Sequence, residues 1–524
     1  MKISRQMWQA AVLVGLALAA TSVLAQAGEP PTPTVTCASQ AGERQQCPAN
    51  TSAGVALVRS TGTTPCLLGR NWGYDDKGVW VSDGCGGEFV LGQAAPTGTA
   101  APAQPAPGGA EAPAAAAPQD NKPTPQAIES WGEFTPGTGF LIGRNKAGEL
   151  SLSGYALVRY MNQLPAEGTF TDHLGNEHAV DGRNDIFSHR IMLFFKGWVG
   201  SPRLIYNIVL WTVNTTDQRA LFACIGYQFS RGFSLYAGLN GNPGTRSLQG
   251  SHPFWLGTDR VMADDFFRPF FGSGVWAQGE PVPGLWYNAM VSNNSSSLGV
   301  KATQLDRKFT TGASVWWMPT THEFGPRGAY GDWEMHEKVA TRFGISTVYS
   351  PEQRFTDSSG APGNTTIRLA DSLNVFDTGS LAPGVTVQNV DYRILSVDAG
   401  VKYRGIFLQM ELYSRRLNGF DADGPVPVKE IVDKGFYVQG AFYPVPKKLE
   451  LYAAMSQIYG DKDAGFSNSS EYLVGANWYP FKTRNHRLNV QVIDVNRSPV
   501  SSTFGYYTGG QKGTTVSAAF SVFF

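Results

Sequence analysis

The sequence predicts an all-β protein: a 16-stranded antiparallel transmembrane β-barrel with a small disulfide-rich N-terminal β domain ahead of it. Three observations carry that expectation. Downstream of residue 128, sixteen segments alternate apolar and polar residues with the period of two expected of a strand with one apolar face. The connections between these segments alternate short and long, as in a barrel with tight periplasmic turns at one rim and long outer loops at the other. Near the N-terminus, four cysteines fall within 49 residues of what reads as an exported chain, the density of a small domain held by disulfides.

Composition agrees. Lys+Arg and Asp+Glu number 42 each, a balance that argues against nucleic-acid binding. Charged residues make up 16% of the chain, below the roughly 25% usual for soluble domains, while Gly (60) and Phe+Tyr (30 and 20) run high. Past the N-terminus no run reaches the ~18 apolar residues of a spanning helix, which excludes a polytopic helical membrane protein.

Residues 1–27 read as a cleaved signal peptide: Lys2 and Arg5, an apolar stretch from Ala10 to Ala20, then Ala25-Gln26-Ala27 in the A-x-A form. Cleavage after Ala25 fits almost as well. Residues 28–93 hold Cys37, Cys47, Cys66 and Cys85, from which two disulfides are expected in any of three pairings. Zinc is disfavoured there because no C-x-x-C pair and no nearby His is present. Residues 94–127 are Ala/Pro-rich and hold eight of the 32 prolines, so they read as an extended tether reaching on the order of 100 Å.

The sixteen predicted strands of the 128–524 region are 150–160, 188–200, 203–213, 217–229, 232–240, 271–279, 284–292, 310–318, 338–350, 388–402, 404–415, 435–444, 447–457, 470–480, 485–495 and 513–524. Tight turns follow the second, fourth, sixth, twelfth and fourteenth, whereas Met161 to Phe187, Gly241 to Phe270, Pro351 to Val387 and Arg416 to Lys434 are long. Pro319 to Glu337 breaks the parity, standing where a short turn belongs, and is expected to fold back along the rim. Asn214 to Thr216 is an unusually short outer loop. Aromatic residues at strand ends, Trp316-Trp317, Tyr443, Trp478-Tyr479 and Phe523-Phe524, suit interfacial girdles. The C-terminal Phe resembles the terminal signal by which barrel assembly machinery recognises outer-membrane barrels.

Sixteen strands leave an aqueous channel, so size implies an outer-membrane porin for passive diffusion of small hydrophilic solutes. Alternation assigns Arg159, Arg190, Lys196, Arg342, Lys402, Arg415 and Arg487 to the lumen, against Asp398, Glu411 and Glu450, a basic lean that favours anions. The third outer loop, Gly241 to Phe270, carries Arg246, His252, Asp259, Arg260, Asp264, Asp265 and Arg268, pore-constriction candidates whose mixed charges would set up a transverse field.

The segments Thr258-Asp259-Arg260 through Asp264, Phe266-Phe267-Arg268-Pro269, Gly274-Val275-Trp276, Gly435-Phe436-Tyr437-Val438-Gln439 and Gly475-Ala476-Asn477-Trp478-Tyr479 resemble, in order, the phosphate-selective porin family of Gram-negative outer membranes. That resemblance implies a homotrimeric channel in outer-membrane lipid passing anions such as phosphate. The family's arginine ladder and lysine cluster have no residue-by-residue match in this chain. Gly69-Arg70-Asn71-Trp72-Gly73, Gly78-Val79-Trp80-Val81 and Gly84 to Phe89 resemble a small periplasmic domain family of unknown function. An even strand count puts both barrel ends on the periplasmic side, where this domain would meet peptidoglycan or a periplasmic partner.

No cofactor is expected, and no catalytic constellation stands out: G-x-S-x-G, H-E-x-x-H and P-loop motifs are absent. Ser188-His189 invites a barrel-hydrolase reading, but neighbours on a strand point to opposite faces. His173 and His178 lie close enough in sequence to share a metal, although solvent-facing loop histidines are the commoner case. Cys224 reads as a small packing residue. The remaining alternative is an adhesin or receptor barrel with a closed pore.

Overall fold

The structure is a computed structural model that describes residues 34–51, 55–66, 71–75, 77–91, 139–165, 167–212, 219–249, 253–294, 308–356, 367–502 and 505–524. The signal peptide, the Ala/Pro-rich tether, His252 and the short loop at Asn214 to Thr216 lie outside them. By its internal contacts the chain divides into two units, residues 1–120 and 121–524.

The N-terminal unit contains two three-stranded antiparallel sheets. One joins β1 (Thr34–Ala38), β6 (Gly86–Leu91) and β3 (Val55–Ser60); the other joins β2 (Arg44–Cys47), β5 (Gly78–Ser82) and β4 (Trp72–Asp75). Strands this short bury little, and among the described residues the buried core is Trp72, Val79, Val81 and Phe89 around the cysteines, with Val35, Val55 and Leu57 packed against it. Of the three pairings the sequence leaves open, the structure has Cys37–Cys47 and Cys66–Cys85. The cross-links supply what so small a core lacks.

The second unit is a closed antiparallel barrel of sixteen long strands. They are β8 (Gly148–Pro165), β11 (Asn184–Val199), β12 (Ser201–Thr212), β13 (Arg219–Ser230), β14 (Phe233–Gly241), β15 (Phe271–Val282), β16 (Leu285–Ser292) and β17 (Thr310–Trp317), then β18 (Ala340–Gln353), β19 (Val387–Tyr403), β20 (Ile406–Ala422), β21 (Glu430–Val445), β22 (Leu449–Tyr459), β23 (Ser469–Trp478), β24 (His486–Asn496) and β25 (Gly513–Phe523). Each corresponds to a predicted segment. Closure comes from β25 on β8, in register from Gly513 opposite Pro165 to Phe523 opposite Tyr155. Where β25 ends, an unpredicted strand, β7 (Phe140–Arg144), takes over the edge of β8 from Leu152 to Glu149, and a short hairpin, β9 (Thr169–Thr171) with β10 (Glu177–Ala179), lies in the connection between β8 and β11.

Strand β20 shows why such a sequence makes a barrel wall. Ile406, Leu408, Met410 and Leu412 are exposed on the outside, while Phe407, Gln409, Glu411, Tyr413 and Arg415 between them are buried inside. The outward series is the apolar surface that hydrocarbon solvates, and the inward series holds the polar groups. Among the described residues no helix is long and apolar enough to cross a membrane.

Two expectations about the rims are corrected. The pleat splits the paired aromatics between faces: Trp317 and Phe524 are exposed outward, whereas Trp316, Tyr443, Tyr479 and Phe523 are buried, so only alternate members form a girdle. The predicted loop Arg416 to Lys434 is mostly strand, because β20 runs to Ala422 and β21 starts at Glu430.

Candidate functional site

Inward-pointing side chains converge on the barrel interior, and two chain segments enter it from opposite rims. The first is the long connection between β14 and β15, which carries a short helix, Met262–Phe267. Its backbone is held by side chains of the wall. Arg487 Nη1 donates to the Trp255 carbonyl (2.6 Å), Asn477 Nδ2 to Leu256 O (2.8 Å), and Glu471 accepts from Met262 N (2.8 Å). On the other side of the loop, Glu411 accepts from Arg246 N (3.0 Å) and Ser396 donates to Gly244 O (3.0 Å). The loop therefore lies across the lumen, touching β19, β20, β23 and β24.

The constriction candidates all lie on this loop, where Asp259 and Arg246 pair with the wall and Arg260, Asp264, Asp265 and Arg268 pair within the loop itself. Asp259 sits between Arg190 (3.2 Å) and Arg159 (3.9 Å), side chains of β11 and β8. Arg260 approaches Asp264 (3.8 Å), donates to Ser247 (2.9 Å) and lies over the Trp255 ring. Arg246 lies 3.7 Å from Asp398, which also accepts from Arg342 Nε at 2.9 Å. Asp265 and Arg268 pair with each other at 2.8 Å. Burial pushes the Asp264 carboxyl up to about 6, against the pull of Arg260 and of the Ser247 hydrogen bond. Opposite charges held this close cancel locally, in place of the transverse field expected of charges separated across a gap.

The lumen candidates follow the same pattern. Arg159, Arg190, Arg342, Lys402, Arg415 and Arg487 are all buried inside; Lys196, on the same face as buried Met192 and Phe194, is half-buried nearer the short-turn rim. Arg415 pairs with Asp433 at 2.6 Å and lies over the Phe266 ring. Glu450 accepts from Asn477 (2.8 Å) and Tyr479 (3.1 Å). Asp433, Glu471 and Glu352, also buried, were missed. Asp433 and Glu352 lie just outside the predicted strands, while Glu471 lies inside one and alternates with buried Leu473 and Asn477, a signal that was available. With them and Glu280, buried on β15 in step with Trp276 and Gln278, the inward acids balance the seven bases.

The second segment is Met318 to Val339, the connection that breaks the parity of turn lengths. The structure sends it inward instead of along the rim. Phe324, Ala329, Tyr330 and Asp332 are buried, and Tyr330 N donates to Phe254 O at 2.9 Å, joining the two segments. Beside that junction is a small cleft of about 10 Å³, bordered by Trp255, Tyr330, Glu450, Arg484, Arg487 and Phe523 among others, space for about one water molecule. Asp332, Glu334 and His336 bring potential metal-ligand atoms within 4.8 Å of one another. Each already has protein partners: His336 bonds Asp332 and Glu323, and Glu334 lies 3.4 Å from Arg484.

At the long-loop rim, His173 and His178 serve different carboxylates, Asp371 (2.6 Å) and Asp172 (2.8 Å). His173 is buried against Phe466, which corrects its reading as a solvent-facing residue. Burial raises the Asp172 carboxyl, but hydrogen bonds from His178, Asn176 and Leu174 outweigh it and hold the group at about 2. A register shift interrupts β11 between Ser188 and Arg190, and the His189 side chain lies outside what is described. Cys224 packs beside Tyr236, Trp276 and Met290, as a small packing residue should.

Comparison with known proteins divides along the same line as the chain. Residues 34–104 are similar to a family described as "Protein of unknown function (DUF3011)". No curated protein matches the sequence. Solved structures similar to the barrel include the anion-selective porin from Comamonas acidovorans (11% identity, TM-score 0.44, covering 72% of this chain and 100% of that one). Others are OmpF of Salmonella typhi in complex with daunomycin (12%, 0.42, 74% and 100%) and the outer-membrane channel DcaP of Acinetobacter baumannii (11%, 0.41, 74% and 99%).

Proposed function

We propose that this chain is an outer-membrane porin through which small hydrophilic solutes diffuse passively. One observation carries the reading: a closed sixteen-stranded wall presents apolar side chains outward, while its inner face carries Arg159, Arg190, Asp398, Lys402, Glu411 and Arg487. A barrel whose only task was to hold outer loops has no need of ionisable groups along its inner face, and each is costly to bury. An anion preference, with phosphate as one candidate, draws support from Lys402 and Arg487, whose ammonium and guanidinium bond neutral backbone carbonyls. We further propose a homotrimer in outer-membrane lipid, assembled by the barrel assembly machinery. The N-terminal unit would stand in the periplasm, where peptidoglycan or a periplasmic protein is its partner. The packing of two segments inside the barrel favours a second reading, a receptor or adhesin with a closed pore.

Single-channel recording of the refolded chain in a planar bilayer separates the readings. Reversal potentials in a salt gradient, with phosphate titrated against chloride, give the selectivity. Discrete conductance steps support the porin; a folded barrel that never conducts favours the closed-pore receptor.

A further inference from the structure

The Met318 to Val339 connection is unlike the other turns at its rim. Gly200 alone joins β11 to β12, and Arg404 and Gly405 join β19 to β20, whereas this connection enters the lumen and is gripped through its backbone. Lys402 Nζ donates to Phe324 O (2.7 Å) and Ala329 O (2.8 Å), Arg246 Nη2 to Gly328 O (2.8 Å), and Arg484 Nη2 to Tyr330 O (2.9 Å). These cations come from three places: the barrel wall, the long inward loop and the turn between β23 and β24. They meet on four carbonyls within seven residues. Gly325, Gly328 and Gly331 all have positive φ (81°, 62° and 73°), which turns the chain tightly enough to aim those carbonyls outward. Gly331 also lies against Glu450, since a Cβ there would fall 2.1 Å from Oε1.

Charge-assisted hydrogen bonds are the strong ones, yet every group they hold belongs to one connection that forms no strand pairing with the wall. Its two ends reach the rim, where Thr321, Glu337 and Lys338 are exposed or half-exposed. The long loop has a different hold, with carboxylate–arginine pairs to β8 and β11 and a helix whose Phe267 stacks on Tyr413 of the wall. Of the two, the connection can withdraw without unpairing a carboxylate from β8 or β11.

We propose that Pro319 to Glu337 is an internal plug, seated from the short-turn rim by Arg246, Lys402 and Arg484, and that it must leave the lumen before the barrel conducts. This rests on the porin reading. When the plug leaves, three cations lose their carbonyl partners and face the lumen, so the opened state should favour anions more than the closed one.

The test uses the full chain and two variants in planar bilayers. Deleting Thr321–Glu337 leaves Met318, Pro319, Thr320, Lys338 and Val339 to join β17 to β18. The expected result is a several-fold larger conductance, with the reversal potential moved toward the anion. The second variant, Phe254→Cys with Tyr330→Cys, keeps the connection and guards against a deletion that fails to fold. Its two backbones are hydrogen-bonded, so the Cα atoms lie within about 7 Å, the limit for a disulfide. Oxidation should hold the channel shut and a reductant should release it. A folded deletion variant that conducts like the intact chain, or an oxidised pair that conducts undiminished, overturns the plug while the porin reading stands. Silence from folded intact, deleted and reduced forms alike overturns both.

Discussion

Replacing Asp259 by Asn keeps the size of the side chain and removes its charge from between two arginines. Asp259 Oδ2 lies 3.2 Å from Arg190 and 3.9 Å from Arg159, and the three side chains are between 0% and 6% exposed. Breaking a buried pair by neutralising one partner costs about 3–5 kcal/mol, because the remaining charge keeps its desolvation penalty and loses its attraction. Here two guanidiniums on neighbouring strands also repel each other without the carboxylate, which places the loss at the upper end of that range. Denaturant unfolding in detergent, with folded barrel scored by gel mobility without heating, measures it. A cycle with Arg190→Gln isolates the pair: once one guanidinium is gone, Asp259→Asn should cost less, with a coupling on the order of 1–3 kcal/mol. A single-variant loss under about 1 kcal/mol, of the size typical of exposed pairs, together with no coupling, would refute the claim that this carboxylate anchors the loop.

Three other outcomes are expected. Asp264 is raised to about 6 by burial, so its protonation stabilises the packed loop fully below the ordinary carboxylate value, and that contribution is lost as pH rises through about 6. Acidifying from pH 7.5 to 5 should therefore raise the denaturation midpoint, and Asp264→Asn should flatten that step. Gly331→Ala puts a Cβ at positive φ against Glu450, which should unseat the inward connection and make it sensitive to added protease while the sixteen strands stay resistant. Cys66→Ser with Cys85→Ser opens a loop of sequence separation 19 and should cost the N-terminal unit about 3 kcal/mol, seen as proteolysis confined to residues before the barrel.

What the sequence made legible follows from how local each signal is. A strand such as β20 announces itself because Ile406, Leu408, Met410 and Leu412 must face lipid whatever else the chain does, and turn-length parity follows from antiparallel closure alone. Strand β7 was not legible because Phe140–Arg144 shows no alternation, all five residues being exposed. Its place depends on where β25 stops. Asp433 and Glu352 lie beyond the predicted strands because Gly435 opens a clear apolar series and Pro351 looks like a stop. In the structure both strands run on, Pro351 opposite Asp391 and Asp433 opposite Arg415.

The chemistry of the interior was the least legible part, for a reason that bears on function. A count of inward charges treats each as facing water, which gave seven bases against three acids. In the folded chain those bases meet Asp259 on a loop, Asp433 at a strand extension and, through Lys402, two carbonyls of the inward connection, none of which a strand-by-strand reading places in the lumen. Carbonyl oxygens carry no formal charge and so are invisible to such counting, yet they occupy the same donors that a solute would. The connection that violates turn parity is the one that supplies them. Its extra length is what carries those carbonyls from the rim to Lys402, and to Arg246 and Arg484, so the break in parity and the capping of these three cations share one cause. Shortening that connection to ordinary turn length should add Arg246, Lys402 and Arg484 to the lumen as uncapped cations, readable as a reversal potential moved toward the anion.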